Sequence, residues 1–270
     1  MTSPVTLATH EWPPAQADAG AAAPVAVLVH GVTGWHRTWW RVGPALAHAG
    51  WRVIAVDQRG HGRSPRIAGH AGVAEWTADL AAAIEGIGAP ADVLIGHSLG
   101  AAVSAELAYL RPELVRRLVL EDPPALTRAD DTGWQQNLER EMLDAHADFD
   151  GEVARELAAN PRWQPEDARQ DVEGKQLADR DGLLASFRRE TGARVPALVQ
   201  LITVPTLYVL GDEQRSVYRG DARRRLAHEL PPNARLAVAD AGHTIHRDQF
   251  EWYMATVVDW LRSTSEPPDR

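Results

Sequence analysis

The chain has 270 residues, 44% of them hydrophobic and 24% charged, and no cysteine. It can therefore form one sizeable domain, or a domain carrying an insertion, and it cannot use disulfides, thiolate metal sites or a cysteine nucleophile. A formal net charge of −9 with no long Lys/Arg run argues against general binding to nucleic acid or to an anionic membrane. The N-terminus has neither the basic start nor the apolar core of a signal peptide. No run approaches the ~18 apolar residues of a membrane span, so a cytoplasmic protein is expected.

Short runs rich in Val, Ile and Leu recur at 25–31 (VAVLVHG), 51–57 (WRVIAVD), 91–98 (ADVLIGHS), 116–122 (RRLVLED), 206–212 (TLYVLGD) and 234–240 (ARLAVAD). Continuous rather than alternating hydrophobicity predicts strands buried on both faces, as in a parallel sheet. Helical spacing lies between them. Val73, Trp76, Leu80, Ile84 and Ile87 share one face, as do Phe250, Tyr253, Met254, Val257, Val258 and Leu261. Strand–helix alternation predicts a doubly wound α/β domain with a mostly parallel sheet. The alternation breaks between about Ala125 and Pro196. That segment is charged, contains Trp134, Phe149, Trp163 and Phe187, and reads as several short helices with no strand. The expected organisation is a core of 1–124 and 197–270 with a helical cap, 125–196, inserted at the carboxyl edge of the sheet.

One strand exit carries chemistry. Gly96-His97-Ser98-Leu99-Gly100 is a G-x-S-x-G turn between a predicted strand and a helix expected from Leu99 to Leu110. Such a tight turn exposes a serine at the top of the sheet, and its neighbours must be small because strand and helix crowd them. The helix N-terminus adds free N–H groups and the positive end of a dipole. An earlier strand ends in His30-Gly31-Val32. A developing oxyanion needs two preorganised donors, and the backbone N–H groups of Leu99 and Val32 are the expected pair. The histidines form no H-E-x-x-H or other compact ligand spacing, so neither metal nor cofactor is expected.

The segments HGVTG (30–34), DQRGHGRS (57–64), GHSLGA (96–101) and AGHTIHRD (241–248) together resemble the α/β-hydrolase fold, in its capped serine-hydrolase group, over essentially the whole chain. The resemblance implies the chain order Ser, acid, His for a triad. It points to His243, in the loop before the final helix, as general base, with His246 as the competitor. It offers two places for the acid. One is the loop after 206–212, where Asp212 is present but the later expected position is Gln214, which cannot supply a charge. The other follows the strand after the nucleophile's own, where Asp122 stands before Pro123-Pro124. Asp122 is preferred and Asp212 is the alternative. Glu121 and Asp122 should point to opposite sides of the sheet. Asp57 and Arg59 are expected to tie loops together.

The resemblance implies acyl transfer to water, with Ser98 attacking an ester or lactone of a hydrophobic small molecule. Trp35, Trp134, Phe149 and Trp163 are the expected pocket lining. The same triad could serve a C–C bond hydrolase or a cofactor-free peroxidase, and a ligand receptor of this fold with vestigial catalysis is the alternative from a different class. The sequence does not indicate an oligomeric state.

Overall fold

The computed structural model describes residues 3–15, 23–125, 132–188 and 195–264. The elements begin with β1 (Thr9–Trp12), β2 (Val25–Val29), α1 (Val42–His48), β3 (Arg52–Val56), α2 (Val73–Ile87), β4 (Val93–His97), α3 (Leu99–Leu110) and β5 (Leu118–Glu121). Helices α4 (Thr132–Ala147), α5 (Phe149–Ala159), α6 (Pro165–Leu177), α7 (Arg180–Phe187) and α8 (Val195–Leu198) follow. The chain then returns through β6 (Thr206–Leu210), α9 (Gly220–His228), β7 (Ala234–Val238), α10 (Ile245–Asp248) and α11 (Phe250–Ser263).

The strands form one sheet in the order β1-β3-β2-β4-β5-β6-β7. From β3 to β7 every neighbouring pair is parallel, and β1 runs antiparallel to β3 at one edge. The continuous apolar runs have the physical origin the sequence implies. In β2, Val25, Val27 and Val29 face a core built with Leu80 and Ile84 of α2 and Val103 of α3. Ala26 and Leu28 face the other core, with Leu46 of α1 and Tyr253 and Val257 of α11. Burying each such aliphatic side chain contributes about 1.5–3 kcal/mol, so both sheet faces must be apolar. The strand order reverses between β2 and β4. At such a switch point the connections leave in opposite directions and open a crevice outside the carboxyl ends of the strands.

The loop after β3 is held by charged groups as well as by the packing of Ile67 and Ala71. Buried Asp57 accepts hydrogen bonds from the His36 and Arg63 backbone N–H groups at 2.6 and 2.9 Å. The Arg59 guanidinium grips Asp79 of α2 through two 2.7 Å bonds. The two residues thus tie this loop to the segment after β2 and to α2.

Helices α4 to α8 lie between β5 and β6, with no strand among the described residues. Residues 126–131 and 189–194, near the ends of the expected insertion, lie outside the described residues. The insertion is bonded to core loops. Trp40 Nε1 donates to Asp167 at 2.8 Å, the Ile67 N–H to Asp179 at 2.7 Å and the Ala71 N–H to Ser186 at 2.8 Å. No helix among the described residues is long and apolar enough to cross a membrane.

Candidate active site

Ser98 is the single residue between β4 and α3, and its backbone has φ 52° and ψ −117°. A non-glycine residue held there stores about 1–3 kcal/mol of strain. The surroundings enforce it. A Cβ at Gly100 would lie 2.2 Å from the Val29 carbonyl oxygen, and one at Gly96 would lie 2.4 Å from the Gly100 carbonyl oxygen. Only hydrogen fits at either place, so β4, α3 and the end of β2 close tightly around the serine.

The turn aims Ser98 Oγ at His243, in the loop between β7 and α10. Oγ lies 2.9 Å from His243 Nε2, and His243 Nδ1 lies 2.7 Å from Asp122 Oδ2. A carboxylate can only accept, so the proton on this pair belongs to Nδ1. That leaves Nε2 to accept from the serine hydroxyl. Asp122 is fully buried just beyond β5. It also accepts the Val217 N–H at 3.0 Å and the Ser216 hydroxyl. Asp212 is placed differently. Its Oδ1 accepts the N–H of exposed Gln214 at 3.0 Å and closes a turn. Of the two candidate acids, Asp122 is the one in contact with His243.

Glu121 and Asp122 do point to different partners. Glu121, fully buried, accepts the backbone N–H of His246 at 2.9 Å and meets His246 Nδ1 at 2.8 Å. Burial alone would raise this carboxyl, but the charge and hydrogen bonds of His246 hold it below its ordinary value. His246 is therefore engaged behind the site and away from Ser98. His97 Nε2 donates to the His243 carbonyl at 3.1 Å, and burial pushes the His97 ring well below its usual value. A neutral His97 thus supports the loop that carries His243.

The segment after β2 is fixed by another neutral histidine. His30 Nδ1 donates to the Gly31 carbonyl at 2.7 Å, and its Nε2 accepts the Gln58 N–H at 3.0 Å. Burial lowers His30 to about 4, against the opposing pull of Asp57. The Gly34 N–H returns to the Gly31 carbonyl at 3.1 Å, so residues 31–34 form a turn beside Ser98. Leu99 opens α3, where an N–H has no partner in the helix ladder. Val32 and Ser98 line the same cavity.

That cavity, about 120 Å³, is bounded by Val32, His97, Ser98 and His243, and by Asp171 and Arg247. Among the described residues, its lining does not include the four expected aromatic side chains. Trp35 donates Nε1 to the Gln170 carbonyl at 3.2 Å, and Trp134 packs edge-on against Phe187. Phe149 lies under the Arg169 guanidinium, and Trp163 donates to Asp248 at 2.9 Å while lying under Arg247. These rings are used to join the insertion to itself and to the core. Sequence reasoning missed Asp171, Arg247 and Ser216, although Arg247 stands within the AGHTIHRD segment itself. Among the described residues, no group of three or more His, Asp or Glu is arranged to hold a metal.

A family model described as the alpha/beta hydrolase fold matches residues 24–249. Epoxide hydrolase B of Mycobacterium tuberculosis is 38% identical over 92 residues, covering 33% of this chain and 26% of that protein. Matches to the first such curated relatives span only 26% to 39% of their own lengths. The mouse sn-1-specific diacylglycerol lipase ABHD11 is 26% identical over 283 residues, covering 90% of this chain and 83% of its own. The enol-lactonase of Burkholderia xenovorans LB400 superposes with a TM-score of 0.74 at 22% identity, over 95% of this chain and 96% of that one. At that identity the likeness concerns the fold alone. With the family match covering most of its length, the chain belongs to the α/β hydrolase fold family.

Proposed function

We propose that this protein is a serine hydrolase that cleaves a small carboxylic ester or lactone through an acyl-enzyme. One observation carries the reading: the unbroken Asp122–His243–Ser98 hydrogen-bonded chain, with bonds of 2.7 and 2.9 Å, at the edge of a cavity. In this reading His243 Nε2 takes the Ser98 proton as Oγ attacks the carbonyl carbon. Asp122 holds the required tautomer and stabilises the imidazolium. The Val32 and Leu99 N–H groups receive the oxyanion, a contribution of about 3–4 kcal/mol for one well-placed donor. The tetrahedral intermediate collapses as His243 protonates the departing oxygen, leaving Ser98 acylated. His243 then takes a proton from water as it adds to the acyl carbonyl. The second tetrahedral intermediate expels Ser98 Oγ, which regains its proton from His243, and releases the acid.

The cavity wall favours a substrate different from the hydrophobic one expected. With polar groups and about 120 Å³, it suits a small polar acyl group better than a bulky hydrophobic one. A lipase of Mycobacterium tuberculosis is among the sequence relatives, which agrees with ester chemistry. The epoxide-hydrolase relatives share the fold, but a serine stands at the nucleophile turn here, and the attack proposed is on a carbonyl.

A fluorophosphonate probe and a panel of aryl esters, lactones and one vinylogous diketone test the reading. Labelling of Ser98, a burst of product and turnover of esters or lactones support it. Turnover confined to the diketone would replace it with C–C hydrolysis. Ligand binding without turnover or labelling would replace it with a receptor.

A further inference from the structure

Two residues of the Ser98 cavity, Asp171 of α6 and Arg247 of α10, take no part in the triad. Arg247 is only 4% exposed. Its guanidinium lies over the Trp163 ring, 4.5 Å from the centroid, and its Nη1 donates to Asp171 Oδ1 at 2.7 Å. Arginine has five N–H donors. The Nε of Arg247 is buried with no acceptor among the described residues, an arrangement that is unfavourable. Asp171 is moreover shared, since its Oδ2 lies 3.0 Å from Lys175 Nζ. Lys175 is also met by Glu141, Glu152 and Glu156, whereas Asp171 is the carboxylate that Arg247 contacts, which leaves the guanidinium with unused hydrogen-bonding capacity.

A buried guanidinium in a nucleophile's cavity is out of place for a purely hydrocarbon acyl group. Its planar fork matches a two-oxygen anion. Trp163 and Asp171 hold it in a fixed plane, so little side-chain freedom remains to be lost on taking up a second anion. Arg247 is also close to the base in the chain. Its N–H donates to the Thr244 carbonyl at 3.1 Å, one residue past His243. We infer that Arg247 binds a carboxylate on the substrate, so the preferred substrates are small esters or lactones carrying a carboxylate a few bonds from the carbonyl that Ser98 attacks. Ser98 and Arg247 line one small cavity of about 120 Å³, which sets that proximity. The inference rests on the serine-hydrolase reading for the bond cleaved, but anion binding can be measured without it.

The test compares mono-4-nitrophenyl succinate with its neutral methyl ester at constant ionic strength, and measures succinate binding by calorimetry. Wild-type protein should prefer the carboxylate substrate about 10- to 100-fold in kcat/KM, the range of a charged hydrogen-bonded contact. Succinate should bind and compete. Arg247→Gln should collapse the preference and remove succinate binding, Arg247→Lys should retain part of both, and Asp171→Asn should strengthen succinate binding by removing the competing carboxylate. Turnover of both esters by wild type with no charge preference and no succinate binding overturns the carboxylate site while leaving the hydrolase reading standing. Succinate binding lost in Arg247→Gln supports the site even if neither ester is cleaved, and that failure would fall on the hydrolase reading. Equal losses on both esters in Arg247→Gln, with succinate binding retained, would make Arg247 a tie between insertion and core.

Discussion

Ser98 and Asp122 occupy matching places one strand apart. Each is the first residue beyond a parallel strand, and each has a left-handed backbone, with φ 52° and 39°. The Ser98 N–H donates to the Glu121 carbonyl at 3.0 Å, and the Asp122 N–H to the Val209 carbonyl at 2.8 Å. The last hydrogen bond of each strand thus pins the turn that presents a side chain to His243. Replacing Ser98 with Ala removes the hydroxyl and keeps this backbone. Turnover of a small aryl ester should fall by about 10³-fold or more, with thermal stability close to wild type. Unimpaired hydrolysis by Ser98→Ala, measured on protein free of contaminating esterase, would remove Ser98 from the mechanism.

The two candidate acids predict opposite results. Asp122→Asn leaves the shape of the site but loses the charge that sets the His243 tautomer, and kcat should drop by up to ~10⁴-fold. Asp212→Asn alters an N–H acceptor in a turn after β6 and should stay within a few-fold of wild type. Steady-state kinetics on one ester decides between them, and an inactive Asp212→Asn beside an active Asp122→Asn would reverse the assignment.

The turn at Ser98 should not tolerate one methyl group. A Cβ at Gly100 would sit 2.2 Å from the Val29 carbonyl oxygen and 2.5 Å from that of His30. These are backbone atoms in the sheet and cannot swing away. Overpacking of this kind costs about 1–3 kcal/mol, and the shift of α3 that relieves it would also displace the Leu99 N–H. Gly100→Ala should therefore lower both the denaturation midpoint and kcat. Ala at Gly86 of α2, where the added Cβ meets nothing within 4 Å, is the control.

Stability should fall in mild acid through His30. Burial lowers its folded value to about 4, whereas the unfolded chain titrates near the ordinary 6.5. Its bonds to Gly31 and Gln58 also use the neutral ring. Between those two values the unfolded state holds the extra proton. The stability present above pH 6.5 is thus lost progressively as pH falls toward 4, by about 3 kcal/mol at most. His30→Gln, which cannot titrate, should be less stable at pH 7.5 for lack of these bonds, with a shallower decline between pH 6.5 and 5. An unchanged slope in urea titrations across that interval would assign the acid loss to other groups.

What the sequence made legible follows from where the information lies along the chain. The strands are readable because burial on both faces makes each a continuous apolar run. Ser98 is readable because its turn needs small neighbours at fixed positions. Asp122 could be placed at a strand tip, but what holds it could not. Its partners Ser216 and Val217 lie more than ninety residues further on and carry no local signal. The aromatic residues of the insertion are less legible for a related reason. A tryptophan's size says that it will be covered, and which surface covers it depends on how five helices pack. Asp171 and Arg247, 76 positions apart, look like ordinary surface charges until that packing brings them together.

The hydrogen bonds to Asp122 have a further consequence. Asp122 stands before the helical insertion and Ser216 after it, so their contact ties off the whole intervening stretch of chain at its base. Lengthening such a tied loop is cheap, about 0.6 kcal/mol for each doubling. Helices α4 to α8 could therefore be replaced or enlarged in the course of descent while the tie, and with it the setting of His243, stays where it is. In a protein built this way the choice of substrate and the chemistry are free to evolve at different rates.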